Sequence, residues 1–140
     1  MANKTNKILF VCIENSIRSQ MAEGFAKARG LEACSAGTFP ATEVNPLVVQ
    51  AMMEKGIDIS NAKPKAITEQ MVEEAKVVVL TASSLEYSLP KNIRKKIGKK
   101  LVIWSIADPK TQPISVVRFI RDGIEKDVDS LLKTHKKVAQ

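Results

Sequence analysis

The segment Cys12-Ile13-Glu14-Asn15-Ser16-Ile17-Arg18-Ser19 places a thiol and a guanidinium with five residues between them, between an apolar run and a helical pattern. A loop of this length leading into a helix N-terminus can turn successive backbone N–H groups inward, forming a nest for a tetrahedral oxyanion. Arg18 adds a two-pronged, charge-assisted grip on two of the oxygens. Cys12 then sits on the floor of the nest, where the helix dipole and the guanidinium both favour the thiolate, the nucleophilic form. Asn15 is one of the few non-glycine residues that tolerate the left-handed backbone a tight anion loop often needs. Ser19 can donate its hydroxyl to the thiolate or cap the helix. With two cysteines and five arginines in 140 residues, this spacing arises by chance in about 7% of such chains, so it carries little alone. Its position between a strand and a helix carries more.

Asp108-Pro109 is the second chemical element. By itself Asp-Pro marks a turn. Proline fixes the local backbone, however, and an aspartate there can reach over an anion site as a general acid. Cys12, Arg18 and Asp108 together supply a nucleophile, an oxyanion clamp and a proton donor.

These groups need a scaffold that brings them together. Residues 8–11 form a short β-rich run ending at Cys12. Over residues 19–29, Met21, Ala22, Phe25 and Ala26 recur at helical spacing, and Gly30 stops the helix. Residues 32–36 read as a second strand closed by Gly37. Asn45-Pro46 starts a helix whose stripe is Val48, Val49, Met52 and Met53, ended by Gly56. After a loop over residues 61–68, Thr68 opens a short helix, and residues 76–80 are the clearest buried strand. Residues 101–104 give a fourth strand. Residues 114–133 form a long amphipathic helix with Val117, Phe119, Ile120, Ile124, Val128, Leu131 and Leu132 inward. Strands that are apolar along their length and alternate with helices predict an α/β domain over residues 1–140. Its four-stranded parallel sheet is covered by helices on both faces. Ligands in such folds bind beyond the carboxyl ends of the strands, here after Val11, Ala36 and Trp104.

Composition excludes several classes. A chain of 140 residues, 44% hydrophobic, buries a core as one domain without disulfide or metal support. Two cysteines and one histidine make neither a disulfide framework nor a four-ligand zinc site, so no metal or cofactor is expected. The apolar run at residues 8–13 is too short for a signal-peptide core, and nothing is long enough to span a bilayer. The expected compartment is the cytoplasm, with reduced thiols and no membrane partner.

The net charge of +7 is concentrated in residues 91–100, six of them basic and none acidic. That run contains no aromatic for base stacking, so nucleic acid is disfavoured and a solvated helix face preferred. The charge also steers small anions. Cys34 reads as a small buried strand residue turned away from Ser35, with a resolving-cysteine role as the alternative. His135 reads as a solvated tail residue.

The run Val11-Cys12-Ile13-Glu14-Asn15-Ser16-Ile17-Arg18-Ser19-Gln20-Met21-Ala22-Glu23 resembles the signature of the low-molecular-weight protein tyrosine phosphatase superfamily, which includes arsenate reductases of the same fold. The resemblance continues through Ser35-Ala36-Gly37-Thr38, Val44-Asn45-Pro46, Gly56-Ile57-Asp58-Ile59-Ser60 and Asp108-Pro109. It implies Cys12 as nucleophile, residues Ile13 to Arg18 as the phosphate-binding loop and Asp108 as general acid. It also implies Asn15 and Ser35 as the pair that holds the loop's shape, and Ser19 as the thiolate's partner.

The departures from the family pattern are specific. Ile17 stands where many of these phosphatases carry a second cysteine. Residues 81–88 lack the cysteine pair of the thioredoxin-coupled reductases. Lys110-Thr111-Gln112 replaces aromatic residues after Asp-Pro, leaving Phe39, or Tyr87, to wall a substrate slot. Glu14 puts a carboxylate near the mouth.

The expected activity is metal-independent hydrolysis of a phosphorylated small molecule or phosphoprotein through a cysteinyl-phosphate, by a monomer. The alternative is arsenate reduction with Cys12 and an external thiol donor. The third reading is a non-catalytic anion- or nucleic-acid-binding module.

Overall fold

Strand β1 (Lys7–Cys12) is apolar from Ile8 onward, and its residues are buried on both faces in the computed structural model, which describes residues 6–134. Strand alternation sends Ile8 and Phe10 into one cluster and Leu9 and Val11 into another. β1 therefore lies at the middle of the molecule. It pairs in parallel with β2 (Ala33–Gly37) on one side and β3 (Ala75–Leu80) on the other, and β3 pairs with β4 (Leu101–Ile103). The order is β2-β1-β3-β4.

The Ile8/Phe10 face is covered by α1 (Arg18–Ala28), α2 (Pro46–Met53) and the long α6 (Ile114–Thr134), through Met21, Phe25, Val48, Met52, Ile124 and Val128. The Leu9/Val11 face is covered by α3 (Glu69–Glu74), α4 (Leu85–Ser88) and α5 (Lys91–Ile97). The expected α/β class, parallel sheet and two-sided helical cover are all present. The two helices between β2 and β3 are the two expected there, whereas two helices, α4 as well as the basic α5, lie between β3 and β4 where one was expected.

Local chemistry starts these helices. Asn45 Oδ1 accepts the N–H of Leu47 at 2.8 Å, with Pro46 at the first helical position of α2. Thr68 Oγ1 accepts the N–H of Met71 at 3.2 Å and caps α3. Gly30 and Gly56 close α1 and α2 at φ +82° and +77°, where a side chain would be strained.

Two inward assignments differ from expectation, and one charged residue not assigned inward is buried. Met53 is 49% exposed, and Ala51 takes its place beside Val48 and Met52. Phe119 is 77% exposed on the outer face of α6. Arg121 is buried instead, its Nη1 donating to Ala51 O at 3.0 Å and to Glu54 Oε1 at 2.8 Å. The basic run behaves as a solvated face: Ile93 and Ile97 anchor α5 while Lys91, Arg94, Lys95 and Lys96 stay exposed. His135 lies outside the described residues. Among the described residues no helix is long and apolar enough to cross a membrane.

The chain leaves β1 for one edge of the sheet and later returns to the other, so β1 and β3 flank the point where strand order reverses. There the N–H and hydroxyl of Thr81 donate to Val11 O at 2.8 and 2.9 Å. In doubly wound sheets this crevice beyond the strand ends is where ligands bind.

Candidate active site

β1 ends by delivering Cys12 to that crevice, and the loop between β1 and α1 curls over it. The carbonyls of this loop are all engaged on its outside. Cys12 O accepts Thr38 N at 3.2 Å, Ile13 O accepts Phe39 N at 2.8 Å, and Glu14 O accepts Ala41 N at 2.9 Å. Asn15 O accepts Gln20 Nε2 at 3.2 Å, Ser16 O accepts Asn45 N at 3.1 Å, and Ile17 O accepts Met21 N at 3.1 Å. In a trans peptide the N–H points opposite the preceding C=O. Six outward carbonyls therefore turn the N–H groups of residues 13–18 inward, the arrangement that binds an oxyanion. The Asn15 N–H shows the direction, donating to Cys12 Sγ at 3.1 Å. Ser19 Oγ lies 2.8 Å from the same sulfur.

The loop is held in this shape from behind. Asn15 has φ +52°, the left-handed backbone expected of it. Its side chain is fully buried and saturated. Nδ2 donates to Ser19 Oγ at 2.7 Å and Ser35 Oγ at 2.9 Å, while Oδ1 accepts Gln20 Nε2 at 3.2 Å and Lys65 N at 2.9 Å. Ser35 Oγ in turn donates a hydrogen bond to Glu23 Oε1 at 2.5 Å. The expected Asn15–Ser35 pair is thus one strut of a larger frame.

Arg18 opens α1 and is 6% exposed. Its Nη1 donates to Ile106 O at 3.0 Å, which fixes the guanidinium over the loop, and its Nη2 lies 3.8 Å from Asp108 Oδ2. Asp108 follows β4, its Oδ1 accepting the N–H of Lys110 at 3.0 Å. Lys110 Nζ reaches back to Glu14 Oε2 at 2.6 Å. Glu14, and beyond it Asp108, hold the Lys110 ammonium above its ordinary pKa. Cys12, Ile13, Glu14, Ser16, Ile17, Arg18, Asp108 and Lys110 enclose a cavity of about 120 Å³.

The structure brings Cys12, Arg18, Asp108 and the whole loop together, with Ser19 and Ser35 on the frame expected for them. Ser16 turns its hydroxyl to Glu43 O at 3.1 Å. Phe39 and Tyr87 do not wall the cavity: they are 77% and 78% exposed, and Tyr87 carries the Arg94 guanidinium 5.5 Å above its ring. Ile17 packs into the core. Cys34 pairs in register with Leu9, three residues back from the Cys12–Gly37 pair. At about 3.3 Å per residue that separates the two thiols by roughly 10 Å along the strands, beyond disulfide reach without backbone movement. Burial pushes the Cys34 thiol pKa up.

Sequence reasoning missed Gln20, Glu23 and Lys110. The first two were visible as polar residues on the inward side of an otherwise apolar helix. Lys110 had no local signal.

Comparison with known proteins agrees with this fold. The family described as low molecular weight phosphotyrosine protein phosphatase matches residues 7–140. An arsenate reductase of Staphylococcus aureus is 37% identical over 136 residues, covering 93% of this chain and 97% of its own. A solved arginine phosphatase, YwlE of Geobacillus stearothermophilus, superposes with a TM-score of 0.84 at 27% identity, covering 94% of this chain and 93% of that one. A solved arsenate reductase in the phosphate-binding state gives a TM-score of 0.77 at 32% identity, covering 91% and 97%. With the match running from the first residue of β1 through α6, the chain belongs to the low molecular weight phosphotyrosine protein phosphatase family.

Proposed function

We propose that this enzyme hydrolyses phosphomonoesters, of a small molecule or a phosphoprotein, with Cys12 as the nucleophile. The observation that carries the reading is the Cys12 sulfur held by Ser19 Oγ at 2.8 Å beneath six inward peptide N–H groups. The thiolate attacks phosphorus, and an S–P bond forms as the bond to the leaving oxygen breaks. Asp108 gives that oxygen its proton. Water then attacks the cysteinyl-phosphate, Asp108 takes the water's proton, and inorganic phosphate leaves with the thiolate restored. Arg18 and the N–H groups of residues 13–18 neutralise the equatorial oxygens through both steps.

The second reading is arsenate reduction, favoured by the absence of an aromatic wall at the cavity and by the Staphylococcus aureus relative's name. Here Cys12 attacks arsenic and expels a hydroxide that leaves as water. An external thiol then attacks Cys12 Sγ, forming a mixed disulfide and releasing arsenite, and a second thiol regenerates Cys12. The two electrons come from the two external thiols.

A side-by-side assay of 4-nitrophenyl phosphate hydrolysis and thiol-dependent arsenate reduction separates the two. Hydrolysis lost in Cys12→Ser, in a protein that still folds, supports the first reading. Arsenite release with no hydrolysis assigns the second. Substantial hydrolysis by Cys12→Ser sinks the mechanism.

A further inference from the structure

The Asp108 carboxylate is 47% exposed and 3.8 Å from Arg18, so the guanidinium does not hold it at hydrogen-bond distance. Its short contact is the 3.0 Å bond from the N–H of Lys110, inside a turn whose next residue, Thr111, has φ +65°. Whatever fixes Lys110 therefore fixes Asp108. The Lys110 ammonium ends on Glu14 in the loop of the nucleophile, 96 residues away in sequence and 2.6 Å away in space. We propose that the Glu14–Lys110 ion pair is a latch that sets the general acid over the nucleophile, making both residues positioning residues of this site.

The pair also sets the charge at the mouth. Intact, Lys110 cancels the Glu14 carboxylate that would otherwise repel an incoming dianion. Without Lys110, the Glu14 carboxylate faces the substrate uncompensated. Without Glu14, the ammonium is free to attract it. The two halves of the latch therefore affect kcat in the same direction and KM in opposite directions, a pattern that general destabilisation does not produce.

The inference rests on the phosphomonoesterase reading and is tested with steady-state kinetics on phenyl phosphate and 4-nitrophenyl phosphate. The expected loss in kcat for Glu14→Gln and for Lys110→Gln is about threefold with phenyl phosphate, the scale that exposed ion pairs supply. It is smaller with 4-nitrophenyl phosphate, whose better leaving group needs the proton less. KM falls in Glu14→Gln and rises in Lys110→Gln. The exchange Glu14→Lys with Lys110→Glu recovers kcat. About 0.5 M neutral salt narrows the gap between the wild type and the single variants, because screening weakens an exposed pair. Single variants with unchanged kcat, or an exchange variant that stays as slow as they are, overturn the latch. Failure of the phosphatase reading looks different: the wild type then leaves both esters intact, or Cys12→Ser still cleaves them.

Discussion

Gly37 lies directly against the carbonyl of Ile13: a β-carbon at Gly37 would stand 2.4 Å from that oxygen and 2.9 Å from the Asn15 nitrogen. Both contacts are to backbone, so neither can swing away. Gly37→Ala is expected to displace the oxyanion loop and lower activity at least about tenfold. Its stability cost should be about 1–3 kcal/mol, the usual range for overpacking. Kinetics and thermal unfolding on one preparation check this, and a fully active alanine variant would contradict it.

Asn15 serves the loop by its backbone and by its side chain, and two substitutions separate these roles. Asn15→Gly keeps the φ of +52° accessible but removes the bonds to Ser19, Ser35, Gln20 and Lys65. Asn15→Ala loses the same bonds and adds left-handed strain of about 1 kcal/mol. Phosphate affinity measured by calorimetry should fall in both variants and further in alanine. Equal affinity in the two would show that the strain is not resisted by the loop.

Glu54 joins α2 to α6 through Arg118 Nη2 at 2.7 Å and Arg121 Nη1 at 2.8 Å. Arg118 foremost, then Arg121, lowers the Glu54 pKa from 4.5 to about 2. The folded value lies below the unfolded one, so the stabilisation is fully present above about pH 4.5 and is lost as pH falls through about 2. The Tm gap between wild type and Glu54→Gln should be widest near neutrality and close across that acid window. A gap independent of pH would exclude the carboxylate as its source.

Cys34→Ala should retain phosphate ester hydrolysis, and thiol-driven arsenate reduction where that activity is found, because β-sheet register keeps Cys34 away from Cys12. Loss of only the reductive activity in this variant would mean that the two thiols meet during turnover.

The oxyanion loop and the elements around it were legible because their signals are local: an apolar strand, a helix start and a turn-tolerant asparagine follow one another within a few residues. The Asn15–Ser35 strut came with the family resemblance. What stayed hidden depends on geometry between distant segments. Phe119 was placed inward by its type, yet at about 100° per residue it lies roughly 200° from Val117, on the far side of α6. Arg121 falls on the Val117–Ile124–Val128 stripe, but its charge argued against burial until Ala51 O, Glu54 and Asp122 were seen to meet it. The Glu14–Lys110 pair spans 96 residues, and nothing near either residue announces the other.

Ile17 fills with hydrocarbon the loop position where a second sulfur would sit. If Cys12 is oxidised to a sulfenic acid, no internal thiol stands near enough to condense with it. The next rung, the sulfinic acid, is not reversed by ordinary thiols. With Cys34 roughly 10 Å away along the strands, rescue of an oxidised Cys12 through a disulfide depends on how quickly a thiol from solution reaches the cavity.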